Sequence, residues 1–139
     1  MKETNDLRQG LMEAPNLDSF LSENLDSFQN TTACDTLCRL FQKSRLSKAT
    51  LAKRSGMSEV YLHQVFSGRR NPSRSRLICL CFGLKATIAE TQSMLKQCGY
   101  AELYPKNKRD AIILFGFLHN KTLFEVNDML YDQEEETLF

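Results

Sequence analysis

At 139 residues, with six Gly, three Pro and no Trp, the chain is long enough for one domain around a single core. No β-branched alternating run suggests a sheet, and nowhere do about eighteen apolar residues run together, the length a membrane span needs, so an all-α protein without a membrane partner is expected. The net charge of +1 points by itself to no polyanionic partner, and the opening MKETNDLRQG is too polar for a secretory leader.

Residues 1–30 read as a flexible acidic segment. Residues 1–12 are expected to be disordered. Asp-Ser-Phe occurs at Asp18–Phe20 and again at Asp26–Phe28, each time after a Leu. With Leu17, Leu21 and Leu25 this allows a short amphipathic helix over 15–29 that docks on the domain or on a protein partner. Ser19, Ser22, Ser27, Thr31 and Thr32 are hydroxyls in acidic context that a kinase could take. The first helix of the domain is expected from about Thr32 to Ser44, with Leu37, Leu40 and Phe41 inward.

The stretch Ser47 to Pro72, SKATLAKRSGMSEVYLHQVFSGRRNP, organises the rest of the domain. Ser47 can cap a helix by accepting from a first-turn N–H. Leu51 and Ala52 face inward; Lys48, Lys53 and Arg54 face out. Gly56 can take the left-handed conformation that ends a helix. Ser58 caps the next helix, whose apolar set Leu62, Val65 and Phe66 recurs at spacings of three and four. Gly68 closes it. Two short helices joined by a Gly-containing turn are the sequence form of a helix-turn-helix, and Ala52 supplies the small side chain expected where such helices cross.

Charge coincides with this motif. From Lys43 to Arg76 there are nine basic residues and one acid, Glu59, a surplus of +8 in a chain whose net charge is +1. A strongly basic third within an otherwise acidic chain is an electrostatic footprint for phosphates.

The pattern LSKATLAKRSGMSEVYLHQVFSGRRNPS resembles the lambda-repressor-like helix-turn-helix family, also called the Cro/C1 or XRE type, over about 45 to 60 residues. The resemblance implies a five-helix DNA-binding domain over 31–99 and a cytoplasmic, sequence-specific transcriptional regulator acting on double-stranded DNA. It places the helix around 58–67 in the major groove. The base-facing positions it implies are Ser58, Glu59, Val60, His63 and Gln64. Gln64 can bond an adenine edge in two places, Glu59 can accept from a cytosine amino group, and Val60 can touch a thymine methyl. The phosphate-holding positions it implies are Lys48, Tyr61, Arg69, Arg70 and Arg74, which set register without reading sequence. The sequence departs from the family pattern at Glu59, Val60 and Tyr61, where Gln, Thr, Arg or Asn are usual. A carboxylate near phosphates lowers affinity unless it finds a donor, and Tyr61 is able to stack on the neighbouring helix instead.

Pro72-Ser73 opens a fourth helix with Leu77, Ile78, Leu80, Cys81 and Leu84 buried. Thr87 and Glu90 form a capping box that opens a fifth, ending at Gly99. Residues 100–139 read as a helical extension packed on the domain. It is similar to a group of small bacterial regulators with an LYPKNKRDAIILF-type segment. Lys108 to Asn120 is apolar on most sides, and a second capping box, Thr122 and Glu125, opens a last helix with Leu123, Val126, Met129 and Leu130 on one face. That apolar area is expected to be buried, and residues 108–131 are expected to contain a homodimer interface. The tail from Asp132 to Glu136 is acidic.

Five cysteines, 34, 38, 79, 81 and 98, are an odd number, three of them within apolar helical patterns, which favours reduced thiols. Cys34 and Cys38 share a helix face, but a metal site needs three or four ligands and no His lies near, so no metal is implied. No catalytic constellation or phosphate-cradling Gly loop is present, so neither an enzyme nor a cofactor is expected. The rival to the DNA reading is a protein-interaction module on the same fold, supported by Glu59, the near-neutral charge and the extra C-terminal helices.

Overall fold

The computed structural model describes residues 4–19 and 33–139, and all regular secondary structure among them is helical. The chain divides into two compact units, 1–30 and 31–139.

In the first unit α1 spans Thr4–Glu13. Disorder is the expectation from sequence over 1–12; the helix stands at 4–12 of that stretch, and residues 1–3 lie outside the described residues. Leu7 and Leu11 stand four residues apart, Gln9 donates to Glu13 at 3.0 Å across the same spacing, and Pro15 falls only beyond the helix end. Residues 17–19 are also helical, with Asn16 Oδ1 accepting from the Ser19 N–H at 2.8 Å. The rest of the helix expected over 15–29 lies outside the described residues, as do Ser22, Ser27, Thr31 and Thr32.

The second unit contains α2 (Ala33–Ser44), α3 (Lys48–Ser55), α4 (Glu59–Phe66), α5 (Arg74–Gly83), α6 (Ile88–Gln97), α7 (Lys108–Leu118) and α8 (Leu123–Asp132). Their starts are set by capping hydroxyls and one amide. Ser47, Ser58, Ser73, Thr87, Asn107 and Thr122 each accept from the N–H three residues on. Both capping boxes close reciprocally, with Glu90 and Glu125 accepting back from the cap N–H at 2.9 and 3.0 Å. The helices end with less help from glycine. Gly56 (φ 68°) takes the left-handed position after α3, but Arg45, Lys85, Asn120 and Glu134 hold the same conformation with side chains present.

Helix α5 is the centre. It packs on α3, α6 and α8, and every residue from Leu77 to Leu84 is buried. α3 approaches it closest: a Cβ on Gly83 would stand 2.9 Å from Leu51 Cδ1 and 3.2 Å from Ser55 Cβ. The tight crossing of α3 is therefore made by Gly83 of α5, with Ala52 buried but not at that closest contact. Ser55, fully buried, returns its hydroxyl to the Leu51 carbonyl at 2.6 Å, so its polar group does not disturb the contact.

The extension is continuous with this core. α7 packs on α6 and α8, and Ile113, Leu123, Val126 and Leu130 are buried with the residues of α5. A single close approach locks α7 to α8: a Cβ on Gly116 would lie 2.3 Å from Val126 Cγ2. The α7 surface is less buried than its composition suggests, since Phe115 is 44% and Leu118 67% exposed. The acidic tail is held down as well. Arg109 donates to the carbonyls of Glu136 and Thr137, Leu138 is buried, and the Phe139 ring reaches within 3.1 Å of where a Gly56 Cβ would stand. Among the described residues no helix is long and apolar enough to cross a membrane.

Candidate nucleic-acid interface

α3 and α4 are joined by the turn at Gly56 and Met57, and both pack inward through one face. Leu51, Ala52 and Ser55 are buried on α3; Tyr61, Leu62 and Val65 are buried on α4. The far end of α4 is fixed to α2, where the Phe66 ring stacks on Phe41 at 4.9 Å and the Cys38 thiol reaches the Phe66 carbonyl at 3.6 Å. α4 is thus held at its start by the Ser58 cap and at its end by an aromatic stack. Its remaining surface is free to face a partner.

That surface carries most of the base-facing positions the sequence implied. Ser58, Glu59, Val60 and His63 are exposed, Val60 at 69%, while Gln64 is half-buried. The Ser58 oxygen already accepts from the Tyr61 N–H at 3.1 Å, which leaves its O–H and one lone pair to a partner. Gln64 has a second part. Its backbone carbonyl accepts from the backbone N–H groups of Arg69 and Arg70 at 2.9 and 3.2 Å, folding the arginine loop back onto the end of α4. Tyr100 donates to the Pro72 carbonyl at 2.7 Å and pins the other end of that loop.

The positions expected to hold phosphates differ in their surroundings. Lys48, Arg69 and Arg70 are exposed and carry no ion pair among the described residues. Tyr61 is only 8% exposed, so its ring serves as a plate: the guanidinium of Arg70 lies 5.5 Å and that of Arg76 4.5 Å from its centroid. Tyr61 positions two cations rather than presenting its own surface. Arg76, in the first turn of α5, is the basic residue that sequence reasoning did not single out. The signal was present in the spacing of Arg70, Arg74 and Arg76 around a helix start.

Arg74 is turned differently from the other arginines of this stretch. Its guanidinium turns inward and grips Asp110 with both ends, Nη1 to Oδ1 at 3.2 Å and Nη2 to Oδ2 at 3.0 Å. Nε and Nη2 also donate to the carbonyls of Ala101 and Glu102 at 2.9 and 3.2 Å. These bonds occupy most of the guanidinium N–H groups, and the buried Asp110 carboxylate offsets the charge, so Arg74 clamps the extension.

Two further groups of residues stay apart from this surface. Among the described residues no three His, Cys, Asp or Glu gather as a metal site, and Cys79, Cys81 and Cys98 are free thiols. Burial pushes the Cys79 and Cys81 thiols up to about 12, with Arg76 and Arg109 opposing the shift at Cys79, so both are inert core groups.

Residues 35–94 match the family model described as a helix-turn-helix domain. No curated protein and no solved structure matched the chain. The match covers most of α2, all of α3 to α5 and most of α6, the part that builds and supports the α3–α4 pair.

Proposed function

We propose, from the match to a helix-turn-helix domain at residues 35–94, that this protein is a sequence-specific DNA-binding transcriptional regulator of the lambda-repressor-like kind working in the cytoplasm. The observation that carries the reading is the exposed face of α4 (Ser58, Glu59, Val60 and His63) beside Arg69, Arg70 and Arg76, gathered by the Gln64 carbonyl and the Tyr61 ring. α4 enters the major groove, its exposed residues meet base edges, and the arginines hold phosphates and fix register. Nothing in this arrangement calls for catalysis.

The regulator acts as a homodimer. Ile112, Phe115 and Met129 line a shallow apolar groove on α7 and α8, and Leu118 is exposed nearby on α7. A two-fold pairing through residues 108–131 would place two copies of α4 roughly 34 Å apart, one turn of DNA. Phe117 is not part of that surface, because it stacks on Phe82 at 3.9 Å within its own chain.

Selection of bound sites from random DNA, followed by sequencing, tests the reading. It predicts a two-fold-related site and binding that weakens steeply with salt. Recovery of unenriched sequence would overturn it. A second reading, a protein-interaction module, has one observation in its favour: Glu59 stands exposed in the first turn of α4, where a phosphate would be repelled.

A further inference from the structure

A pocket of about 430 Å³ opens between the domain and its extension, within the range of small-molecule sites. Its apolar lining comes chiefly from Phe82 of α5, Phe117 of α7 and Phe124 of α8. The first two rings stack in parallel at 3.9 Å and 15°, presenting flat aromatic surface.

The charged lining is of one sign. Arg54, Lys85 and Lys121 border the pocket, and no Asp or Glu does. Among the described residues Arg54 and Lys85 have no ion-pair partner, and Lys121 reaches Glu125 only at 4.0 Å between exposed side chains. Three cations around an aromatic hollow, two of them without an ion-pair partner and the third only loosely paired, leave positive charge in excess there, and a ligand of opposite charge offsets it.

We propose that this pocket binds a small organic anion with an aromatic body, such as an aromatic carboxylate or sulfonate. Its ring system lies among Phe82, Phe117 and Phe124, and its acid group takes Lys85, Lys121 and Arg54. Two routes connect it to the helix-turn-helix. Arg54 belongs to α3, two residues before Gly56. Phe124 meets Phe139 edge-on at 5.6 Å and 87°, and the Phe139 ring packs against Gly56. An occupant therefore touches the end of α3 directly and reaches Phe139, seated under the turn, through Phe124.

The test is a fluorescence titration of the full chain with 8-anilinonaphthalene-1-sulfonate, run beside N-phenyl-1-naphthylamine, the same rings without the sulfonate. The expected result is saturable one-to-one binding of the sulfonate and a raised melting temperature. Lys85→Gln and Lys121→Gln each weaken the sulfonate about threefold, as partly exposed ion pairs do, and leave the neutral amine unchanged. Phe124→Ala weakens both probes. Phe115→Ala, in the separate groove on α7, changes neither. Unsaturable binding, a lowered melting temperature, or equal losses of both probes in the lysine variants would overturn the proposal. The readout contains no DNA, so its failure leaves the DNA reading standing, and the reverse also holds.

Discussion

Arg74→Met should destabilise the protein without touching its DNA contacts. The substitution removes four hydrogen bonds, two to Asp110 and two to the carbonyls of Ala101 and Glu102. It leaves the Asp110 carboxylate, 9% exposed, with the Tyr104 N–H at 3.0 Å but without its cation. Removing one partner of a fully buried pair costs about 3–5 kcal/mol. Arg74 keeps 24% of its side chain in water, and exposed pairs contribute only about 0–1 kcal/mol, so about 2–3 kcal/mol is expected here. That is a large share of the roughly 5–15 kcal/mol that holds a domain together. Urea unfolding followed by far-ultraviolet circular dichroism measures it. The Asp110→Leu single variant and the double variant complete a cycle, and the double variant should lose less than the two single losses combined. In the same protein Arg74→Met should keep the parent's salt dependence of DNA binding, whereas Arg69→Ala and Arg70→Ala should each lower that slope by roughly one. A loss of under about 1 kcal/mol together with a reduced salt slope would return Arg74 to the phosphate set and refute the clamp.

Gln64→Ala should relax preference at one base position by about 1–3 kcal/mol, read from selected sites; an unchanged site would remove Gln64 from base reading. Gly116→Ala should cost about 1–3 kcal/mol through collision with Val126, and Val126→Ala should relieve part of it; strict additivity of the two losses would contradict the close approach. Arg45→Gly should gain about 0.5–1 kcal/mol in urea unfolding, because φ 59° strains a side chain that glycine lacks. Cys79 and Cys81, pushed up to about 12, should expose a thiolate fraction of only ~10⁻⁴ at pH 8 and resist iodoacetamide until unfolding, as peptide mass mapping would report. Since folding raises both thiols, their contribution to stability is complete below the ordinary thiol value of 9.0 and falls as pH rises from there toward 12.

Much of the fold was legible because its signals are local. A capping hydroxyl, an apolar residue every third or fourth position and a glycine after the last turn each act within one helix. Ser47, Ser58, Thr87 and Thr122 therefore announced their helices before any tertiary contact was considered. The exposed face of α4 was legible for the same reason: once Leu62 and Val65 face inward, Glu59, Val60 and His63 face outward by helical geometry. The helix at Thr4–Glu13 was missed because its apolar positions are sparse and a polar, acidic composition outweighed the weak four-residue spacing.

What the local pattern could not decide was which partner each long side chain would choose. Arg69, Arg70, Arg74 and Arg76 are equivalent as a run of positive charge. Arg74 turns inward because Asp110, thirty-six residues later, is buried where α7 meets the start of α5. Arg70 and Arg76 turn outward because Tyr61 lies beneath them. The same holds for glycine. Gly83 and Gly116 look like helix weaknesses in sequence, and only the approach of Leu51 and Val126 shows them to be the places where helices touch. Backbone periodicity is a property of neighbours along the chain; the choice of a charge's partner and the room for a side chain depend on residues that the fold alone brings near.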